Sequence, residues 1–159
     1  LASSLLLKYA DILRYQLYTS KMEFIPLDQE VSFLSNFIDV EMIRWEDKVK
    51  VDCSWKIEDR SKKIVPLLLI TFVENAFKHV PRDDFEKGAV QIDLSQKGNV
   101  ICLEVENSKS TVIVKKNENS GLGLVNTKKR LDILYPDRHE LFVEETEKTY
   151  RVRLTLKIE

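Results

Sequence analysis

The chain has little of what metal clusters and covalent staples need. Cys53 and Cys102 are its only cysteines and His79 and His139 its only histidines, all far apart along the sequence. That set offers no zinc ligand cluster, and both cysteines lie in strand-like runs, where they read as small buried apolar side chains. Excess charge of one sign is missing too. A formal net charge of -1 leaves no electrostatic case for nucleic acid or anionic lipid as a partner. The apolar runs fall far short of the ~18 residues that span a bilayer. Residues 1–7 show neither the basic leader nor the cleavage pattern of a signal peptide. Internal repeats and low-complexity tracts are absent. What remains is 159 residues, 43% apolar and 32% charged, which suits one compact domain with a real core plus an appendage. Leu1 falls directly inside a helical pattern, so the sequence is expected to be a piece of a longer protein.

Leu5, Leu6, Tyr9, Ile12, Leu13 and Leu17 recur at three-and-four spacing and predict a helix with a one-sided apolar stripe. That stripe either packs on its own domain or continues a longer bundle that pairs with a second subunit. After Pro26, Leu27-Asp28-Gln29-Glu30 reads as a helix start with acids near its positive end, and apolar positions continue the helix to Trp45. Val49 to Ile57 alternates as a half-buried strand. Pro66 fits the first turn of a third helix that runs to about Val80, where Pro81 stops it. Two runs, 89–95 and 100–106, alternate around Lys97-Gly98-Asn99 and predict a hairpin. Residues 107–119 are expected to be a mobile crossing, followed by an amphipathic helix to Leu134 and strands over 140–145 and 150–158. This order predicts an α/β two-layer sandwich: a mixed, mostly antiparallel sheet with helices on one face.

The chemistry concentrates in Phe72-Val73-Glu74-Asn75-Ala76-Phe77-Lys78-His79. On a helix, Val73 and Phe77 point to the core, while Glu74 with Lys78 and Asn75 with His79 form i,i+4 pairs. A magnesium polyphosphate needs oxygen ligands, a cation and backbone N–H donors. Asn75 offers a neutral amide oxygen for the metal, Lys78 and His79 offer donors to phosphate, and Glu74 can orient an incoming nucleophile. The plain alternative is an exposed Glu74–Lys78 pair worth ~0.3–0.5 kcal/mol with His79 helping the helix end. Gly121 and Gly123 then stand just before an amphipathic helix, where the backbone can approach an anion and free N–H groups face it. Asn126 in the first turn adds a donor. Asn119 or Ser120 acting only as a cap is the plain alternative there. Together the two segments point to a Mg-nucleotide held between a helix and a glycine-rich lid.

The chain resembles the C-terminal half of the LytS/YehU-type sensor histidine kinases, whose ATP-binding domain is of the GHKL (Bergerat) kind shared with the gyrase B subunit and MutL. Glu74 to His79 matches the family's N box, with Val65-Pro66-Leu67-Leu68-Leu69 ahead of it. Gly121-Leu122-Gly123-Leu124-Val125-Asn126 matches the second glycine box, followed by Arg130-Leu131 and Leu134-Tyr135. Leu13-Arg14-Tyr15, Pro26-Leu27 with Glu30, and Glu41 to Trp45 match further recurrent positions. The resemblance implies that residues 1–24 end a dimerisation and phosphoacceptor helical region, and that residues 25–159 form the catalytic domain. It also implies ATP and Mg²⁺ as ligands, with Asn75 on the metal and Glu74, Lys78 and His79 as catalytic groups. Residues 121–124 and Asn126 would cover the nucleotide. The implied partners are a phosphoacceptor helix of the same protein, a response regulator and a second subunit, in the cytoplasmic part of a protein anchored in a bacterial inner membrane. One departure stands out: the family's Asp-x-Gly-x-Gly is replaced by Glu106-Asn107-Ser108-Lys109-Ser110, where Glu106 or Asn107 could take the adenine amino group in place of the Asp. The change risks ~1–3 kcal/mol, or roughly ten- to a hundredfold in affinity. The family's acceptor histidine precedes the stretch seen here, so these residues are not expected to autophosphorylate in cis. A nucleotide-binding scaffold of the same fold, or a protein-interaction module built on the first helix, is the alternative.

Overall fold

The computed structural model describes residues 2–81, 86–110 and 122–159. Its elements run α1 (Ala2–Thr19), β1 (Ile25–Pro26), α2 (Leu27–Trp45), β2 (Val49–Ile57), β3 (Lys63–Ile64), α3 (Ile70–His79), β4 (Gly88–Lys97), β5 (Val100–Ser108), α4 (Leu122–Leu134), β6 (His139–Glu145) and β7 (Thr149–Lys157). Five strands form one sheet in the order β2-β4-β5-β7-β6, and β1 and β3 pair separately. All pairings in the large sheet are antiparallel except β2 with β4. That parallel pair makes α3 the crossover helix of a single β–α–β unit.

Period-two alternation decides the layers. Val90, Ile92, Leu94, Ile101, Leu103, Val105, Val152, Leu154 and Leu156 are all buried and face the helices. The opposite face is polar: Glu104 lies across from Arg153 and Glu106 from Arg151 in the β5–β7 register. An open antiparallel face of this kind carries charges in water, each pair adding at most about 1 kcal/mol. Helices therefore cover one face, and the architecture is the two-layer sandwich expected from the pattern. The core closes with Leu34 and Ile38 of α2, Phe72, Val73, Ala76 and Phe77 of α3, and Leu131 of α4.

Two expectations change. The third helix begins at Ile70, so Pro66 lies outside it. Residues 65–69 form an irregular bend in which Leu67 takes a φ of 61°. Its backbone groups are held by side chains: Glu30 accepts from the Leu67 N–H, and Arg130 donates to the carbonyls of Pro66 and Leu67. Glu30 stands in the first turn of α2 as expected, and it is completely buried. The cysteines are not core residues. Cys53 is exposed in the middle of edge strand β2, and Cys102 points to the open face of β5, half-buried. Along α1 only Ile12 and Thr19 are buried, while Leu6, Leu7, Leu13, Leu17 and Tyr18 are exposed. Of its apolar stripe, Ile12 and Leu5 pack on the domain's own core, whereas Leu6, Leu13 and Leu17 are left uncovered. Among the described residues no helix is long and apolar enough to cross a membrane.

Candidate active site

α3 carries the polar residues of the site on a helix whose other side is locked. Phe72, Val73, Ala76 and Phe77 are buried, and α3 packs against β4, β5, α2 and α4. Glu74, Lys78 and His79 are left exposed and Asn75 half-buried, so one rigid face presents an acid, an amide and two basic groups. Lys78 and His79 occupy the last turn, where their charge also suits the negative end of the helix dipole. The end of α3 is fixed by contact with β4. A Cβ at Gly88 would overlap the Pro81 carbonyl oxygen and come within 2.5 Å of Val80 Cγ2.

Glu74 and Lys78 line a cleft of about 330 Å³ whose opposite wall is α2, with Phe37, Glu41 and Arg44. Phe37 meets Phe77 edge-on, ring centroids 6.2 Å apart. Glu41 is buried and accepts a hydrogen bond from Trp45 Nε1 at 2.8 Å, while the Arg44 guanidinium lies over the Trp45 ring and 3.9 Å from Glu41 Oε1. Partial desolvation, reinforced by the Glu41 charge, raises the Glu74 carboxyl above its usual range. A carboxylate of raised basicity is a better proton acceptor for an imidazole. In the sequence Glu41 and Arg44 stand out only as positions recurrent in the resembled family. Their i,i+3 spacing, one turn beyond Phe37, was the available sign of a shared face.

The second predicted segment is partly visible. Gly121 and residues 111–120 lie outside the described residues, as does the Leu122 side chain. α4 starts at Leu122, so Gly123, Leu124 and Asn126 fall in its first turns, with Gly123 and Asn126 exposed and Leu124 half-buried. Among the described residues nothing stands within 4 Å of a Cβ built on Gly123. Thr127 secures that turn from inside, its hydroxyl donating to the Gly123 carbonyl at 2.8 Å. The N-terminal N–H groups of a helix with a small first turn suit an anion. At the end of β5 the two candidates for the adenine separate by strand alternation. Glu106 stands on the open face and pairs with Arg151 Nε at 3.0 Å, whereas Asn107 is buried on the helix side, its Nδ2 donating to the Ser108 carbonyl. No cluster of three or more His, Cys, Asp or Glu that could hold a metal occurs among the described residues. A Mg²⁺ with bound phosphates needs only one or two protein ligands, and the half-buried Asn75 amide, near the basic side chains of Lys78 and His79, fits that donor set.

Residues 1–49 match the family model described as histidine kinase. The chain is similar to the sensor protein LytS of Bacillus anthracis, 27% identical over 154 residues that cover 90% of this chain and 26% of the relative. It is similar to the sensor histidine kinase BtsS of Escherichia coli, 26% identical over 136 residues covering 86% of this chain and 24% of the relative. It thus spans about a quarter of the length of the curated relatives it matches. In fold it matches the catalytic domain of the histidine kinase ThkA with a TM-score of 0.60 at 13% identity, over 85% of this chain and 94% of that one.

Proposed function

We propose that the chain, similar over most of its length to the LytS and BtsS sensor kinases, is a histidine-kinase-like catalytic domain that binds Mg-ATP between α3 and α4 and serves phosphoryl transfer to a histidine. The observation that carries the reading is the α3 face: Asn75, Lys78 and His79 reach solvent together on a helix anchored by five core residues. Asn75 holds the metal, and Lys78 and His79 bind phosphate oxygens. The first turn of α4, from Leu122 through Asn126, covers the phosphates from its positive end, and Gly121 is assigned to the same phosphate site from the sequence. Asn107, on the helix-facing side of the sheet, takes the adenine amino group, because Glu106 faces away and is engaged by Arg151. Bound Mg-ATP supplies the γ-phosphoryl group with its charge partly neutralised.

Glu74 orients the acceptor imidazole and takes its proton. Its raised basicity in the α2–α3 cleft suits that role. Residues 1–24 continue into the dimerisation and phosphoacceptor helices of the parent protein. The exposed stripe of Leu6, Leu13 and Leu17 is the surface that a second subunit covers, since single exposed leucines are ordinary but an aligned row is not. The acceptor histidine belongs to that helical region, a response regulator takes the phosphate onward, and the domain works on the cytoplasmic side of a membrane-anchored bacterial kinase.

Titration with ATP in the presence and absence of Mg²⁺ tests the site. Asn75→Ala removes the metal dependence and weakens Mg-ATP binding, whereas a variant that binds as tightly as the parent overturns the assignment. A second reading, a nucleotide-binding scaffold without effective transfer, draws on the missing glycines at 106–110. It predicts Mg-ATP binding but no phosphate transfer to an acceptor helix supplied in trans.

A further inference from the structure

Glu30 is the most unusual buried group in the molecule. It is wholly inaccessible, its Oε1 accepts from Tyr15 Oη at 3.0 Å and from the Leu67 N–H at 2.7 Å, and its Oε2 has no hydrogen-bond partner among the described residues. Burying a carboxylate with one oxygen unpartnered is a poor way to fill a core, because an apolar side chain of that size avoids the desolvation cost. The groups that meet it suggest a different purpose. Leu67 donates to Glu30 through its N–H, and its carbonyl accepts from Arg130 Nη1 at 3.2 Å, while Arg130 Nη2 reaches the Pro66 carbonyl at 2.9 Å. Tyr135, just past α4, accepts from the Val65 N–H at 3.1 Å. The bend at residues 65–69 is therefore gripped from α2 on one side and from the α4 region on the other. Its Leu67 is held at a positive φ that a residue with a Cβ avoids.

That bend leads straight into α3 at Ile70, and Arg130 lies two turns along α4 from Gly123. Both helices assigned to the nucleotide are thus tied to one peptide unit. The tie to α1 is a single hydroxyl. Tyr15 stacks on Phe33 with ring centroids 4.4 Å apart and planes 13° from parallel, so its ring direction is set and its hydroxyl meets Glu30 only in this placement of α1.

We propose that Glu30 is a positioning residue for the nucleotide site: the Glu30–Leu67–Arg130 clamp sets α3 against α4, and Tyr15 makes the clamp depend on where α1 lies. The proposal rests on the nucleotide reading above for its consequence, but the clamp itself is tested without nucleotide. Rotation or withdrawal of α1 removes a donor from a buried carboxylate, loosens the hold on Leu67 and so releases the spacing of the two helices. Such a link would let the helical region regulate the site that it serves.

Hydrogen exchange on the ligand-free chain, with Mg-ATP titration beside it, is the test. Tyr15→Phe keeps the stack on Phe33 and deletes only the hydroxyl. It is expected to raise amide exchange about fivefold, the worth of one intramolecular hydrogen bond, at residues 65–69 and along α4, with β4 and β5 unchanged. A merely structural role would raise exchange in those central strands as well. Mg-ATP affinity falls by a similar factor, and combining Tyr15→Phe with Arg130→Lys costs less than the product of the two single effects. Glu30→Gln, which keeps an acceptor oxygen in place, retains the parental exchange pattern, while Glu30→Met reproduces or exceeds the loosening of Tyr15→Phe. Unchanged exchange at 65–69 and α4 in both Tyr15→Phe and Glu30→Met overturns the clamp. If the parent does not bind Mg-ATP, the nucleotide reading fails, and the exchange pattern still decides the clamp.

Discussion

Gly88→Ala adds one methyl group where the end of α3 meets the start of β4. Gly88 pairs with Val49 in the parallel β2–β4 ladder, and its φ is not positive, so the backbone tolerates alanine. Space is the obstacle: the new Cβ would overlap the Pro81 carbonyl oxygen and sit 2.5 Å from Val80 Cγ2. A main-chain carbonyl cannot rotate away as a side-chain tip can, so α3 must shift at its C-terminal end, taking Lys78 and His79 with it. Overpacking of this kind costs about 1–3 kcal/mol. Replacing glycine returns roughly 0.4–1 kcal/mol through the unfolded chain. The net loss is about 1–2 kcal/mol, a fall in Tm of about 2–8 °C for a domain of this length. Gly98→Ala is the control, because Gly98 has a φ of 57° with nothing within 4 Å of an added Cβ. It loses about 1–2 kcal/mol through the left-handed backbone alone, on a turn far along the hairpin from α3. Thermal unfolding should therefore show both variants destabilised, whereas Mg-ATP titration should show weaker binding in Gly88→Ala only. Parental affinity in Gly88→Ala together with a Tm within about one degree of the parent would refute the argument that this contact positions Lys78 and His79.

Gly123→Val should leave stability within about 1 kcal/mol, since no atom of the described residues stands where its Cβ goes. It should weaken Mg-ATP binding roughly ten- to a hundredfold by crowding the anion at the first turn of α4; equal affinity by titration would remove that turn from the site. Glu41→Gln takes away the like charge facing Glu74, so carbon NMR titration should show the Glu74 carboxyl moving down toward its usual range, and an unmoved midpoint would contradict the shared cleft. Because folding raises the Glu74 value, the folded chain holds that proton to higher pH than the unfolded one. Its contribution to stability is then lost as pH rises through the raised value. Denaturant titrations from acid to neutral pH should accordingly show a smaller loss in Glu74→Gln than in the parent.

Much of the architecture could be read from period alone. Strict alternation in 88–97, 100–108 and 149–157 places every second residue on one face, and those faces carry the buried Val90, Leu94, Leu103 and Leu154. The same rule, applied one residue on, sends Glu106 and Asn107 to opposite sides of β5. The bend at 65–69 was not readable, because Pro66 is equally at home opening a helix, and the decision lay with two side chains, Glu30 and Arg130, 36 and 64 positions from Pro66. Cys53 misled for a related reason. Alternation tells which face a residue takes, whereas edge position decides whether that face is covered.

Local order in the sequence thus determined the elements, the buried face of each, and the grouping of Glu74, Asn75, Lys78 and His79 on one helix, because helix and strand periods are properties of the backbone. Only the tertiary structure set Glu41 and Arg44 across from Glu74, and only it sealed Glu30 beneath Tyr15, Leu67 and Arg130. Those meetings depend on how separate elements pack, and burial alone converts an ordinary helix acid into a costly group whose few partners then govern what surrounds it.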